Sequence, residues 1–475
     1  MIWAVIQVGG RQLASLLVFA VLGLLLAPRD FGVVGMAMAW LSVVQSFSDL
    51  GLGAALVQRR EVGPAHFSTV FVLNVGVGLL LTAVGVGLSW PSAWFFREPT
   101  LQPVTMALSL NFILGSVTAA QTAMAQRELR FRQLAVRDVS ASLIGGGAGI
   151  ALAATGFGVW SLVAQSLITS LASAILIWPL SIWRPRITQY SFELLREMWP
   201  YSSQLFLFNI FKSFVQNLDR ILLGHLLGPT AVGLYVFANR LVVQPIATLV
   251  GGVGAYLFPF LSRLQEDREA LRHAYGEAMR GLAALALPAA VLCAIAAPAV
   301  VPLIWGDHWV AAVPLIQVMG VQAVCQAYLS PVGQLLKSLD RPRWLLWWAV
   351  GTTAAVAVFL WVGVGLGGVV GAAWGVTVAY GLGAVVIMRM TATLIGFGAV
   401  ELWRTCGKAL VAALAMAATG WAVSQMPATA SWLRAAVLIL VPGAAYGAAL
   451  LWLDHSLLRA LAARLRTLPP SGAAP

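Results

Sequence analysis

Charge is scarce in this 475-residue sequence: Asp, Glu, Lys and Arg together make up 10% of it, against roughly a quarter in an ordinary soluble domain. A chain so poor in charge cannot coat a water-soluble surface, which excludes a soluble enzyme. Cysteine is scarcer still. Cys293, Cys325 and Cys406 stand far apart in apolar segments, with no CxxC pair and no histidine at metal-ligand spacing. A disulfide framework and a zinc site are therefore excluded, and the three read as packing residues. No metal and no cofactor is expected. Met1 leads straight into apolar sequence without a basic stretch or a small-residue cleavage site, so no cleaved signal peptide is expected. The net charge of +12 does not indicate nucleic acid, because the bases are spread in small groups between apolar runs, the pattern of membrane topology.

What the sequence does hold is hydrocarbon: 60% of its residues are hydrophobic, and the mean hydropathy is +0.87. Apolar runs broken by Pro, Gly and charge place helices at 2–26, 31–57, 67–90, 101–125, 134–154, 158–180 and 200–227, then at 230–258, 279–304, 311–337, 344–366, 367–392, 403–424 and 433–453. Each is about the 20 residues that a span requires. The expectation is an all-α polytopic membrane protein of about 14 transmembrane helices. Every second connection is basic, and these connections with the tail hold 22 of the 29 Lys and Arg residues. By the positive-inside rule both termini are cytoplasmic and the short alternate connections are outside. Within the cytoplasmic segments, Phe192, Leu195 and Trp199, and again Leu271, Tyr275 and Met279, recur at helical spacing. Each set fits an amphipathic helix at the interface or a solvated linker.

A shift of 201 residues aligns Leu22–Ala39 with Leu223–Arg240, with 7 of 18 positions identical, among them Pro28 with Pro229 and Gly32 with Gly233. The same register pairs Gly51-Leu52-Gly53-Ala54 with Gly252-Val253-Gly254-Ala255. Six helices, an even number, separate equivalent positions, so the two halves keep one orientation and are expected to be related by an axis along the membrane normal. The expected organisation is an N-terminal six-helix lobe at 1–183, a cytoplasmic linker at 184–199, a second six-helix lobe at 200–395, two further helices at 396–455 and a cytoplasmic tail at 456–475. Glycine interruptions at matching places in two repeats point to the working region of a transporter. Here they make Gly51, Gly53, Gly251, Gly252 and Gly254 hinge candidates.

Apart from the bases counted with the connections, four lie within predicted spans: Arg11, Lys212, Arg220 and Arg240. The register sets Arg11 opposite Lys212, and at 1.5 Å per residue Arg11, Lys212 and Arg240 all lie about 15 to 18 Å from a helix end, near mid-membrane. A charge at that depth costs several kcal/mol unless it meets water, a partner or an anionic ligand. Polar residues accompany them. Asn209, Lys212, Gln216 and Asp219 share one face of helix 7, Gln7 lies one turn from Arg11, and Ser42, Gln45 and Asp49 mark helix 2. These stripes suggest one hydrated cationic cavity, with Arg11, Lys212, Arg240, Gln7, Asn209, Gln216 and Gln45 as substrate-binding candidates. Asp49, Asp219 and Arg220 are candidates for ion coupling or charge pairing. The bland alternative is that the acids and bases only pin helices together.

The segments APRDFGVVGMA, FSDLGLGAALVQRREV, QRELRFRQLA, GFGVWSLVAQ, NLDRILLGHLLGPTAVGLYVFANRL and LFPFLSRLQED resemble the polysaccharide transporter branch of the multidrug/oligosaccharidyl-lipid/polysaccharide exporter superfamily. The resemblance runs through nearly the whole chain to about residue 400. It implies a flippase of the bacterial inner membrane that carries undecaprenyl-diphosphate-linked oligosaccharide from the cytoplasmic to the periplasmic leaflet in lipopolysaccharide or exopolysaccharide biosynthesis. Membrane lipid and the polysaccharide polymerase or export machinery are the implied partners. Relatives that flip the peptidoglycan precursor have a cationic central cavity and a tail groove involving the last two helices. Arg11 in GRQLASLL and Arg240 in YVFANRL resemble their cavity arginines. Leu24 and His225 depart from the pattern, standing where the family often has Arg, and the start looks short.

Two rivals are open. A multidrug or metabolite antiporter of the same superfamily would carry cationic drugs in an anionic cavity, whereas the excess here is positive. A membrane-embedded polysaccharide polymerase or glycosyltransferase would need a large outer loop or an acid pair. The pair Asp307-His308 between Trp305 and Trp309 fits an interfacial aromatic anchor better than acid/base chemistry.

Overall fold

In lipid a backbone can satisfy its own N–H and C=O groups only as a helix or a closed barrel, and the apolar runs here fold as helices. The computed structural model describes residues 2–47, 56, 63–180, 183–193, 213–339, 341–425 and 431–454, and all regular structure among them is helical. In chain order the helices are α1 (Ile2–Leu25), α2 (Pro28–Gln45), α3 (Pro64–Phe96), α4 (Leu101–Arg127), α5 (Phe131–Ala154) and α6 (Val159–Leu180), then α7 at 213–227. They continue with α8 (Pro229–Ala238), a π-helical turn (Asn239–Val243), α9 (Gln244–Arg263), α10 (Arg268–Trp305), α11 (Val313–Ser338), α12 (Pro342–Ile395), α13 (Ala399–Ser424) and α14 (Ser431–Leu453). Nine helical stretches among the described residues are long and apolar enough to cross a membrane.

Local chemistry explains several boundaries. Pro28 opens α2, where its missing N–H costs nothing, and the Asp30 carboxylate accepts the Ala27 N–H at 3.1 Å. Asp267 caps α10, its Oδ1 accepting the amides of Glu269 and Ala270 at 3.0 Å each. The 54-residue α12 is broken at Gly367 and Gly368, the latter at φ 58, a backbone open to glycine. Its halves fold back on each other so tightly that a Cβ on Gly371 would meet the Gly363 carbonyl. The two spans expected at 344–366 and 367–392 are thus one helical hairpin turning where the sequence put the boundary. At the start of α10 the structure departs from expectation. Residues 268–280 form no separate interfacial helix but begin a single 38-residue helix reaching Trp305, because neither Gly276 nor Gly281 interrupts the apolar face.

The chain forms two compact units, Met1–Val236 and Phe237–Pro475. In the first, α3 packs along α4, α5 along α6 and α1 along α5. Small residues bring these helices together, as is usual where lipid supplies no hydrophobic drive: Gly78 and Gly85 of α3 lie against Ser116 and Ser109, and Gly145 and Gly149 of α5 against Thr169 and Gln165. Just outside the spans, Arg29 donates to both carboxylate oxygens of Glu98 at 3.1 Å. Burial alone would raise the Glu98 pKa, but hydrogen bonds from Thr100 and Arg29, with the Arg29 charge, outweigh it and hold it below the usual carboxylate value.

Still within this unit, α2 and α8 cross at the two glycines paired by the repeat. A Cβ on Gly32 would fall on the Pro229 carbonyl oxygen and lie 3.0 Å from the Gly233 amide nitrogen. A Cβ on Gly233 would fall on the Pro28 carbonyl oxygen and lie 3.1 Å from the Gly32 nitrogen. Equivalent atoms exchange roles across the contact, as a local twofold relation between the two helices requires.

In the second unit α10 is central, packed on α11, α13 and α14, while α11 also packs on α12 and α9. Tyr446 of α14 donates its hydroxyl to the Ala284 carbonyl of α10 at 2.8 Å, and Phe237 stacks on Trp309 with ring centroids 3.9 Å apart. Large apolar side chains including Leu13, Leu17, Leu80, Trp361, Leu366 and Trp421 are exposed, a surface that only lipid satisfies.

Candidate functional site

The expected site residues are unevenly placed. Lys212, Asn209, Asp49, Gly51 and Gly53 lie outside the described residues. Gly251, Gly252 and Gly254 lie within the helix α9, the first two exposed. Arg11 is exposed on α1, Gln45 is exposed at the end of α2, and Gln216 is exposed on α7.

Position on α1 gives Arg11 a direction. At about 100° per residue, Gln7, Arg11, Ala14, Val18 and Leu22 share one arc of roughly 80°, and Ala14, Val18 and Leu22 are buried. The exposed Leu13, Leu17 and Leu24 form a separate stripe about 120° away around the helix, as a lipid-facing stripe does. Arg11 therefore lies on the arc whose Ala14, Val18 and Leu22 are buried, and is itself exposed.

On α7 the polar residues meet α2. Ser213 donates to the Ser42 carbonyl at 2.8 Å, and Asn217 is buried with its amide donating to the Ser213 carbonyl at 2.9 Å. Asp219 is half-buried, and its Oδ1 accepts the Arg220 backbone N–H at 2.8 Å. The Arg220 side chain is half-buried as well, and its Nε is sequestered without an acceptor among the described residues. A guanidinium N–H so placed favours an anionic ligand. Arg240 lies half-buried in the π-helical turn between α8 and α9. Such turns are frequent at functional sites, since one extra residue re-aims the side chains around it.

The sequence reading missed a buried network around Gln7. The Gln7 amide donates to Asp138 Oδ2 at 2.9 Å, Arg137 donates Nε to Asp138 Oδ1 at 2.8 Å, and Arg137 Nη1 donates to Thr122 Oγ1 at 2.8 Å. Arg137 and Asp138 are each 8% exposed. Arg137, near the start of the run expected at 134–154, is one of the 22 bases assigned to cytoplasmic connections, but α5 already begins at Phe131 and carries the pair two turns into the bundle. The available signal was Asp138, an acid inside the run expected at 134–154. Gln7 thus ties the N-terminal end of α1 to α5.

A second charged cluster lies in the other unit. A cleft of about 450 Å³ between α10 and α13 is lined by Arg272, Arg280, Arg404 and Lys408 and by Glu269, Glu277 and Glu401. Asp454, 2% exposed, pairs with Arg280 and lies 3.9 Å from Lys408. With acids and bases matched, this cleft is an ion-pair network and not an anion site.

The family model described as a polysaccharide biosynthesis protein matches residues 21–314, more than half of the chain. The chain is 22% identical over 375 residues to the teichuronic acid biosynthesis protein TuaB of Bacillus subtilis (strain 168), covering 78% of this chain and 77% of that one. It is 27% identical over 370 residues to the succinoglycan biosynthesis transport protein ExoT of Rhizobium meliloti (strain 1021), covering 75% and 72%. Its fold is similar to that of the lipid II flippase MurJ in an inward closed conformation, with a TM-score of 0.74, 11% identity, and 97% of this chain and 100% of that chain covered.

Proposed function

The chain belongs to the polysaccharide biosynthesis protein family, and from that premise we propose that it is a flippase carrying undecaprenyl-diphosphate-linked oligosaccharide from the cytoplasmic to the periplasmic leaflet of a bacterial inner membrane. It is a multi-pass membrane transporter and not an enzyme. The observation that carries the finer reading is the set of intramembrane cations on a chain whose relatives are named for glycan biosynthesis and transport. A diphosphate head group cannot cross hydrocarbon unaided, and its sugars would forfeit their hydrogen bonds to water. A hydrated cavity lined by Arg11, Lys212 and Arg240 answers both needs, with Arg gripping phosphate oxygens through paired N–H groups and Gln45, Asn209 and Gln216 serving the sugars. Support comes from the exposure of Arg11 on the arc of α1 that is otherwise buried, from the Arg220 Nε, which has no acceptor among the described residues, and from Arg240 at a π-helical turn. The two lobes expected at 1–183 and 200–395 would expose the cavity alternately, about the axis that the repeat implies.

In this reading, fourteen spans place both termini in the cytoplasm. Counting the α8–α9 stretch as one span and the α12 hairpin as two supports that number. Reporters fused after Arg60, Arg186, Arg272, Arg343 and Arg404 are expected to read cytoplasmic, and those near Arg97 and Asp307 periplasmic. A periplasmic reading at both Arg272 and Arg343 would overturn the span count or its phase.

An inside-negative potential favours outward movement of an anion by about 2.3 kcal/mol per charge per 100 mV, or about 5 kcal/mol for a doubly charged head group. Export therefore needs no obligatory ion partner, although Asp49 and Asp219 remain the acids suited to one. In reconstituted vesicles an imposed potential is expected to change the flipping rate without an ion gradient, and Arg11→Gln, Lys212→Gln or Arg240→Gln to weaken substrate binding about tenfold each, the effect of roughly 1.4 kcal/mol. Unchanged transport in all three and in the triple variant rejects the cationic site. Dependence on an ion gradient at zero potential supports antiport instead.

A further inference from the structure

The second unit contains an apolar groove that the flippase reading does not use. Its floor is formed by α10 and α11, with Ala283, Ala286 and Cys325 among the lining residues, and its walls by the second half of α12, with Ala384 and Met388, and by α13, with Leu402. The two walls barely touch each other, each packing instead on the floor, so the groove is open sideways between them. It is not the groove that the resemblance implied for the last two helices, because α13 and α14 are closed on each other by Ala412, Ala413, Met416 and Tyr446.

We propose that this groove holds one acyl chain of a phospholipid of the cytoplasmic leaflet, with the phosphate at Arg389. Three observations select that occupant. Along α13 the lining runs from Ala399 to Leu410, about 16 Å at 1.5 Å per residue, which matches half of the roughly 30 Å hydrocarbon core. The volume is about 400 Å³, room for roughly a dozen methylene-sized groups at about 30 Å³ each. A single acyl chain fills it, whereas a 55-carbon polyprenyl chain would leave most of its length outside. The charge is complementary on one wall: Arg389 directly follows the lining residue Met388 and stands one helical turn from the lining residue Val385. Arg389 is exposed, is in no ion pair among the described residues, and has a stem long enough to snorkel to a phosphate.

The site stands whether or not the chain flips a glycolipid, and its test uses no transport assay. The full-length protein is reconstituted with phosphatidylglycerol bearing a photoreactive diazirine in mid-chain, irradiated, and its adducts mapped by peptide mass spectrometry. Adducts are expected on the groove-lining segments of α12 and α13. Ala384→Phe, which fills the groove, is expected to lower the yield at least fivefold, as is Met388→Trp should the first variant fail to fold. Arg389→Gln is expected to lower it severalfold. Leu414→Phe, on an exposed part of α13, should leave the yield unchanged. Equal yields in the filled and native proteins overturn the proposal. So does displacement of the probe by equimolar undecaprenyl phosphate but not by excess phosphatidylglycerol, an outcome that assigns the groove to a polyprenyl chain.

Discussion

Gly32→Val is expected to pull α2 and α8 apart and to lower stability by about 3 kcal/mol, at the upper end of what overpacking costs. The reason is that the atoms in the way belong to backbone. At most crowded positions a new methyl group pushes aside the end of a flexible side chain, but a Cβ at Gly32 meets the Pro229 carbonyl, and one at Gly233 meets the Pro28 carbonyl. Neither carbonyl can move without its helix, and both helices begin at those prolines. The reciprocal geometry gives a second, sharper expectation. Gly32→Ala and Gly233→Ala should each be costly alone, but the double variant should cost clearly less than the two together. Once one methyl group has separated the axes, the other finds space already made, and substitutions sharing one contact are not additive. Thermal unfolding of the purified protein in detergent measures all three. Full additivity, or single variants within about 0.5 kcal/mol of the native protein, the range of an unremarkable surface change, would show that the crossing is looser than described.

That crossing was half legible in the sequence. The 201-residue register singled out Gly32 and Gly233 because identical residues recurred there, but a repeat compares positions and carries no information about which of them touch. The α12 hairpin was legible for a different reason: Gly367-Gly368 interrupts a long apolar run, and only a turn uses two glycines in that place. The start of α10 was misread because charge at 263–280 looks the same on an interfacial helix as on the water-exposed turns of a long spanning one. What separates them is whether the helix continues, a question settled by the packing of Leu271, Tyr275 and Met279 into one buried cluster with Phe397 and Leu336. The intramembrane cations were legible as types and depths, since an arginine in an apolar run is conspicuous in any order of helices. Their partners were not, because hydrogen bonds such as Gln7 to Asp138 join residues 131 apart.

The Arg137–Asp138 pair is where the largest single-residue cost is expected. Both side chains are 8% exposed, so each charge has surrendered its water and depends on the other. Asp138→Leu removes the carboxylate from Arg137 and the acceptor from Gln7 together, and Arg137→Leu leaves a buried carboxylate with only the Gln7 amide. Breaking one partner of such a pair typically costs about 3 to 5 kcal/mol, whereas replacing both by packed apolar side chains is often neutral. The double variant, Arg137→Leu with Asp138→Leu, is therefore expected to regain most of the stability that either single change loses. It should not regain the position of α1. Gln7 would still lack its acceptor, and the N-terminal end of α1, which carries Arg11 one turn further along, would lose its polar tie to α5. The two effects separate experimentally. Unfolding in detergent should show the singles strongly destabilised and the double close to native. A thiol placed by Arg11→Cys, in a background with the three native cysteines replaced, should react with a water-soluble maleimide at a different rate in the double variant than with the native pair. Singles within about 1 kcal/mol of native would mean that water reaches the pair after all; an unchanged labelling rate would mean that α1 is held by the packing of Val18 against Gly146 without help from Gln7.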